Sequence, residues 1–182
     1  GFNRYSNNIN LSIYTKMAKY ILGVKLVKHG EPAADGGMSD ALSKQLLPYK
    51  ESVEFQDEDG EVVKHFLQGA RYPFLTIYSA AGTTFKFAVP MDNENLKEWM
   101  GGEIVSGQWK APRGNYQTTR SLELMTEFDI PIQIPAATCY GVRKFANKTT
   151  DISLIEISAI IELPAKADEA PMTIGVKEAG EG

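Results

Sequence analysis

The side chains best suited to nucleophilic catalysis or zinc binding in this 182-residue chain are one cysteine, Cys139, and two histidines, His29 and His65. A cysteine nucleophile needs a neighbouring base, and structural zinc needs several cysteines and histidines at short spacings. Both histidines lie far from Cys139 along the chain, and Cys139 occupies an apolar, strand-like stretch that is typical of a small core residue. The sequence therefore predicts no catalytic residue, no metal site and no bound cofactor.

The motifs of common enzymes do not occur either. The chain has no phosphate-binding loop, dinucleotide fingerprint, nucleophile elbow or paired zinc-binding histidines. Carboxylates are plentiful, but nothing singles out one catalytic pair. The acidic stretch Asp57-Glu58-Asp59-Gly60 lacks the alternating ligands of a calcium loop and predicts a plain turn. We therefore expect a protein that is not an enzyme.

Aromatic side chains are the remaining candidates for ligand binding. Trp109 and Tyr116 flank a stretch that is typical of a strand end followed by an exposed loop, and together they could line a sugar-binding groove. Trp99 lies on the apolar stripe of a short helix, which is more typical of a core residue. Trp109 and Tyr116 are thus the candidate ligand-binding residues if the protein binds a glycan.

Composition limits the class of protein. A hydrophobic share of 43% is enough for one globular core, and a net charge of −4 with a pI near 5.3 argues against a nucleic-acid-coating surface. No stretch approaches the roughly 20 apolar residues of a membrane span. A single cysteine excludes an intrachain disulfide, which fits a reducing compartment or a secreted protein that needs no cross-links. We expect no membrane partner and no sequence-specific nucleic-acid partner.

Strand signals dominate the chain between a polar stretch at each end. We predict a single mainly β domain over residues 17–164, as an antiparallel sandwich or barrel, and a polar C-terminal tail over 165–182. Residues 1–16 form an N-terminal arm; Met17 resembles a natural start, so this arm is either an ordinary polar extension or an upstream start with a tag remnant at Gly1. Strands are predicted at 20–27, 71–78, 83–89, 103–109, 117–126, 130–134, 136–146 and 151–163.

Three local features stand out. One short helix is predicted at about 92–100 by three signals: Asp92 as its N-cap, an apolar stripe through Leu96 and Trp99, and the glycine pair after Met100. Residues 53–56 and 61–67 flank the acidic turn and predict a hairpin. The irregular stretch 28–50 predicts a long loop with a short capped helix at 39–47.

The order of these segments resembles the major tail tube proteins of long-tailed bacteriophages and their contractile-injection relatives. A strand, Gly82 to Pro90, leads into a short helix that ends in a glycine pair, Asn95 to Glu103. The Trp109 loop, Ser121 to Leu124 and the Ile-x-Ile-Pro strand Ile132 to Ala137 follow in the family's order. The resemblance is one of order and spacing across about residues 17–164.

Membership of that family would imply a structural protein with no catalytic role. Its subunits form rings, typically of six, that stack into a tube through which DNA or an effector passes. The implied partners are other copies of the chain and other tail proteins, and the implied location is a virion tail assembled in the bacterial cytoplasm, as a phage or prophage product.

The apolar residues of the 28–50 loop are the candidate subunit interface: Leu42, Leu46, Leu47 and Tyr49. Burying each is worth roughly 1.5 to 3 kcal/mol, so we expect them to pack either on a neighbouring subunit or over one end of the subunit's own core. The alternative function is a secreted or cell-surface β domain that binds a glycan or a protein.

Overall fold

The computed structural model describes residues 23–178, which form a large open antiparallel sheet, two small hairpin sheets and a helix. The N-terminal arm 1–16 and the start of the predicted 20–27 strand lie outside the described residues. The strands are β1 (Val24–Gly30), β2 (Lys44–Leu46), β3 (Glu54–Asp57), β4 (Glu61–His65), β5 (Leu75–Ser79), β6 (Thr83–Pro90), β7 (Glu103–Val105), β8 (Gln108–Lys110), β9 (Thr118–Thr126), β10 (Pro131–Lys144), β11 (Leu154–Ile161) and β12 (Thr173–Ile174).

The eight-stranded sheet contains the core. Its order is β2-β1-β9-β10-β11-β6-β3, with β12 added beside β10, so β2 and β3 are its edges. Alternate residues of each strand face the same side, and five inward side chains of β6 and β11 are fully buried: Phe85, Phe87, Ile155, Ile157 and Ala159. The mainly β, antiparallel prediction with one short helix is confirmed, and the sheet remains open at its two edges.

The helix α1 (Asn93–Met100) covers the apolar side of this sheet. Asp92 caps it by accepting a hydrogen bond from the Asn95 backbone N–H at 2.8 Å, as its position in the sequence predicted. Gly101 ends it with a φ of 72°, a conformation that favours glycine. Gly141 of β10 allows close approach, since a Cβ there would lie 3.2 Å from the Met100 sulfur. The predicted helix at 92–100 is confirmed.

Two strands predicted separately, 130–134 and 136–146, form the single strand β10. A bulge between Ile134 and Ala137 shifts its register against β9. Pro135 lies at this bulge, where its missing N–H disrupts no ladder, and its carbonyl accepts a hydrogen bond from the Ser121 hydroxyl at 2.6 Å. The proline therefore marks an irregularity within a strand and not a boundary between two strands.

The predicted hairpin between residues 53–56 and 61–67 is wrong. β3 pairs with β6, with Phe55 opposite Phe85, whereas β4 pairs with β5. Pairing with β6 places the Phe55 ring 5.9 Å from the buried Phe85 ring at the edge of the core. Contact with the distant core strand therefore prevails over a local turn.

The predicted helix at 39–47 is also wrong. This part of the chain contains β2, which pairs with β1 and sets Leu46 opposite Val27. Pairing at the open edge of β1 places half-buried Leu46 against the core, which a short isolated helix would not do. The irregular stretch consequently divides into residues 31–43 before β2 and residues 47–53 after it.

Candidate functional site

The strands β4 and β5 form a two-stranded hairpin that is not part of the large sheet. We call residues 61–79 the 61–79 hairpin. Five residue pairs align its strands, from Glu61 opposite Ser79 to His65 opposite Leu75. Its base meets the large sheet where β3 ends and β6 begins, and there the Glu58 N–H donates to the Gly82 carbonyl at 2.9 Å.

Every residue of both hairpin strands is exposed, although most of the large ones are apolar. Because side chains alternate along a strand, Val62 and Tyr78 lie on one face, and Val63, Ile77 and Leu75 lie on the other. The exposed apolar residues at the tip are Phe66, Leu67, Tyr72 and Phe74. Exposed fractions of the large apolar side chains in the hairpin run from 40% at Val63 to 74% at Tyr72, so neither face is covered within the subunit.

Such a surface is unusual for an isolated soluble subunit. Isolated two-stranded hairpins are marginally stable in water, and large contiguous apolar patches mark interaction sites. Ordinary antiparallel strands with one solvated face alternate apolar and polar residues, whereas strands covered on both faces are apolar throughout. Both faces of the 61–79 hairpin carry large apolar side chains beside polar ones, and none of them is covered within the described chain.

The base of the hairpin is acidic. Asp57, Glu58, Asp59 and Glu61 are all exposed. The Thr83 hydroxyl donates to the Asp57 carboxylate at 2.6 Å, which fixes one of the four acids at the sheet edge. The hairpin thus combines an apolar body with a cluster of negative charge where it joins the sheet.

The opposite end of the large sheet carries a second apolar surface. The segment that joins β10 to β11 forms, with Tyr49, a shallow cavity of about 530 Å³ that we call the turn pocket. Phe145 and Ile152 line it with exposed fractions of 67% and 50%. Lys144 and Lys148 also line it, with Asp151 as its one acidic residue.

The predicted interface residues of the 28–50 loop separate into two groups. Leu42 and Leu46 are half-buried, and Leu46 packs against the core. Leu47 is 74% exposed, and Tyr49 is 42% exposed at the turn pocket. Whether any of them contacts another subunit stays a prediction, but Leu47 and Tyr49 are the two that the fold leaves available.

Trp109 and Tyr116, the candidate ligand-binding pair, do line one groove of about 430 Å³ together with Arg143. Their aromatic groups are already engaged within the subunit. The Trp109 indole N–H donates to the Gly101 carbonyl at 2.9 Å, and the Arg143 guanidinium lies 5.6 Å from the indole ring. A Cβ on Gly101 would lie 2.5 Å from the Tyr116 ring, so that ring packs directly on the end of α1. Both residues support the helix terminus, and glycan binding there stays a prediction.

A polar cluster that sequence analysis missed lies between α1 and the sheet. The Arg120 guanidinium is 4.4 Å from the Trp99 ring centroid and donates to both the Glu98 carboxylate and the Glu98 carbonyl. Lys44 of β2 donates to the two Glu98 carboxylate oxygens, each at 2.8 Å. Within the described chain, the Arg120 Nε is the one buried side-chain nitrogen or oxygen without a hydrogen-bond partner.

His29 completes this cluster. Its ring lies 4.9 Å from that of Trp99, and its Nδ1 is 2.8 Å from Arg120 Nη1. Because arginine only donates, Nδ1 accepts and the ring is neutral. Burial, with the adjacent Arg120 charge, lowers the pKa of His29 to about 4. Burial alone would raise the pKa of Glu98, but hydrogen bonds from Lys44 and Arg120 outweigh it and lower that pKa.

The structure gives Cys139 the environment of a core residue. It is completely buried, and burial raises the pKa of its thiol to about 12, far from a reactive thiolate. Within residues 23–178, no three histidine, cysteine or acidic side chains converge as metal ligands. No helix in that range is long and apolar enough to cross a membrane.

No family model and no curated protein matches the chain. Among solved structures, it is similar to a chain in the cryo-EM structure of an extracellular contractile injection system, the PVC sheath-tube complex in its extended state. The identity is 12%, the match covers 89% of this chain and 97% of the other, and the TM-score is 0.46.

The similar structure comes from a contractile injection system, and contractile-injection proteins are among those that the sequence resembles. Similarity at this level defines no family for the chain and assigns it no function. The functional proposal therefore rests on the surface of the subunit itself.

Proposed function

We propose that this chain is a structural subunit that self-associates through its 61–79 hairpin, forming rings that stack into a tube. The exposed apolar hairpin is the observation that carries the proposal. Neither of its faces is covered within the subunit, and burial of each large apolar side chain is worth roughly 1.5 to 3 kcal/mol. The ring and tube follow the resemblance found in the sequence, and the role they imply is mechanical and not catalytic.

Self-association explains the hairpin better than binding of a small ligand does. The apolar surface is a protruding ribbon, whereas small-molecule sites are concave and enclose most of the ligand. A ribbon with exposed apolar side chains on both faces suits insertion between protein surfaces, as in interfaces that remain assembled. Other tail proteins would then contact the ends or the outside of the assembled tube.

Removing the hairpin tests this proposal. Deletion of residues 61–79 joins Gly60 to Ala80, and the hydrogen bond between Glu58 and Gly82 already holds the two ends of the cut together. The large sheet keeps all eight of its strands, so we expect a folded monomer at every concentration. The full chain should sediment as larger species as concentration rises and show rings or short tubes by negative-stain microscopy.

The matched control exchanges one exposed apolar residue outside the hairpin. Leu163→Ser removes an 82% exposed side chain and should leave association unchanged. A full chain that stays monomeric at high concentration would contradict self-association. A deletion variant that assembles as the full chain does would exclude the hairpin as its cause.

A further inference from the structure

The 61–79 hairpin and the turn pocket lie at opposite ends of one strand, β6. The hairpin leaves the sheet beside Thr83, which pairs with Asp57, and the turn pocket lies beside Pro90, which pairs with Leu154. At about 3.3 Å per residue, the two ends of β6 are roughly 23 Å apart. The hairpin of a subunit thus projects from the end opposite to its own turn pocket.

The two surfaces complement each other in chemistry. The hairpin offers exposed aromatic and aliphatic groups, and the turn pocket offers a shallow concave surface in which Phe145 and Ile152 are exposed among polar residues. The hairpin base carries four exposed carboxylates, Asp57, Glu58, Asp59 and Glu61, and the rest of the hairpin carries the exposed cations Lys64 and Arg71, so the negative charge is confined to the base. The turn pocket has Lys144 and Lys148 against one acid, Asp151. Opposite charge beside matched apolar surface favours this pairing over contact between two acidic hairpin bases.

We propose that the turn pocket receives the 61–79 hairpin of a second copy, so that copies associate head to tail. This inference rests on the proposed function, because it names the surface that the hairpin binds. A contact between two different surfaces of the same chain leaves one of each free on every dimer, so growth continues until a ring closes or a filament forms. A contact between two hairpins would stop at a dimer.

Two variants, each lacking one surface, test the inference by mixing. The first lacks residues 61–79 and keeps the turn pocket. The second, Phe145→Asp with Ile152→Asp, alters two exposed pocket residues and keeps the hairpin. Each alone should be monomeric by sedimentation velocity, and an equimolar mixture should give a one-to-one dimer that does not grow, with its composition confirmed by native mass spectrometry.

The outcomes separate this inference from the proposed function. If the full chain assembles but the mixture stays monomeric, or if the pocket variant assembles by itself, the hairpin binds elsewhere and the head-to-tail contact is overturned. If the full chain never assembles, the proposed function fails as well. Circular dichroism melting of both variants identifies any loss of association that follows from unfolding.

The charge complementarity has a separate test with a matched control. Lys144→Glu with Lys148→Glu should weaken association of the full chain by about tenfold at low salt, and by less at high salt. Lys110→Glu with Lys177→Glu makes the same change of charge at exposed positions outside the turn pocket and should have a much smaller effect. Equal weakening by the two pairs would show that net charge, and not the pocket, is responsible.

Discussion

The region beneath α1 and the 61–79 hairpin are both rich in large apolar side chains, but only the first is covered within the subunit. Trp99 is 1% exposed and contacts Phe87, His29 and Arg120, whereas Tyr72 at the hairpin tip is 74% exposed. Both stretches are apolar in sequence, so hydrophobicity alone does not separate them. The difference shows that one serves the stability of the subunit, and we infer that the other serves contacts between subunits.

The largest expected effect on stability is at Trp99. Trp99→Ala should lower the free energy of unfolding by about 3 to 5 kcal/mol, because it removes a buried aromatic and leaves a cavity under a helix too short to persist alone. Chemical denaturation measures the change. Trp99→Phe, which keeps an aromatic ring against Phe87, is the control and should lose less than half as much; a loss below about 1 kcal/mol for Trp99→Ala would contradict the packing described.

The fold was predictable where local signals and core packing agree. Asp92 and Gly101 bound α1 by capping chemistry alone, and the strand predicted at 83–89 is β6, in which Phe85, Phe87 and Val89 share one buried face. The hairpin assignment failed because the pairing of Phe55 with Phe85 joins positions 30 apart, and a convincing local turn competed with it. Pairing between distant strands depends on which apolar surfaces the rest of the fold leaves uncovered. The alternation of residues within one segment carries no information about those surfaces.

The site was harder to predict than the fold for a related reason. The cluster of His29, Glu98 and Arg120 brings together residues from β1, α1 and β9, whose spacing along the chain has no regular pattern. The exposed hairpin gives a signal in retrospect, because apolar residues occupy both alternating faces of β4 and β5. In sequence, that pattern is indistinguishable from a strand buried inside a sheet.

The region beneath α1 should also respond to pH through His29. The folded pKa of about 4 lies below the ordinary value of 6.5, so the unfolded chain takes up the proton first as pH falls. Stability is therefore fully present above pH 6.5 and decreases toward pH 4. At about 1.4 kcal/mol per pH unit, the total loss is roughly 3 kcal/mol.

Denaturation curves between pH 7 and 4.5 check this slope. The pKa of Glu98 is lowered below its ordinary 4.5, so the carboxyl titrates mainly below this window, and its own stabilising contribution is lost only in stronger acid. His29→Gln should flatten the slope, whereas the control His65→Gln, at an exposed hairpin position, should leave it unchanged. The same slope in His29→Gln as in the parent chain would assign the acid sensitivity to another group.

The smallest expected effect on stability is in the hairpin, and it sharpens the comparison most. Val63 and Ile77 are paired across β4 and β5 and are 40% and 46% exposed. Val63→Thr with Ile77→Thr keeps residues that favour strands, so the free energy of unfolding of the monomer should change by less than about 0.5 kcal/mol. Association should nevertheless weaken by at least tenfold in sedimentation, because this face would lose apolar surface that another copy covers.

A matched pair of core substitutions, Ile155→Thr with Ile157→Thr, should do the reverse and unfold the subunit before association can be measured, since both residues are completely buried. If the hairpin pair lowers stability as the core pair does, the hairpin contributes to the folding of its own subunit, and the division between the two regions is wrong.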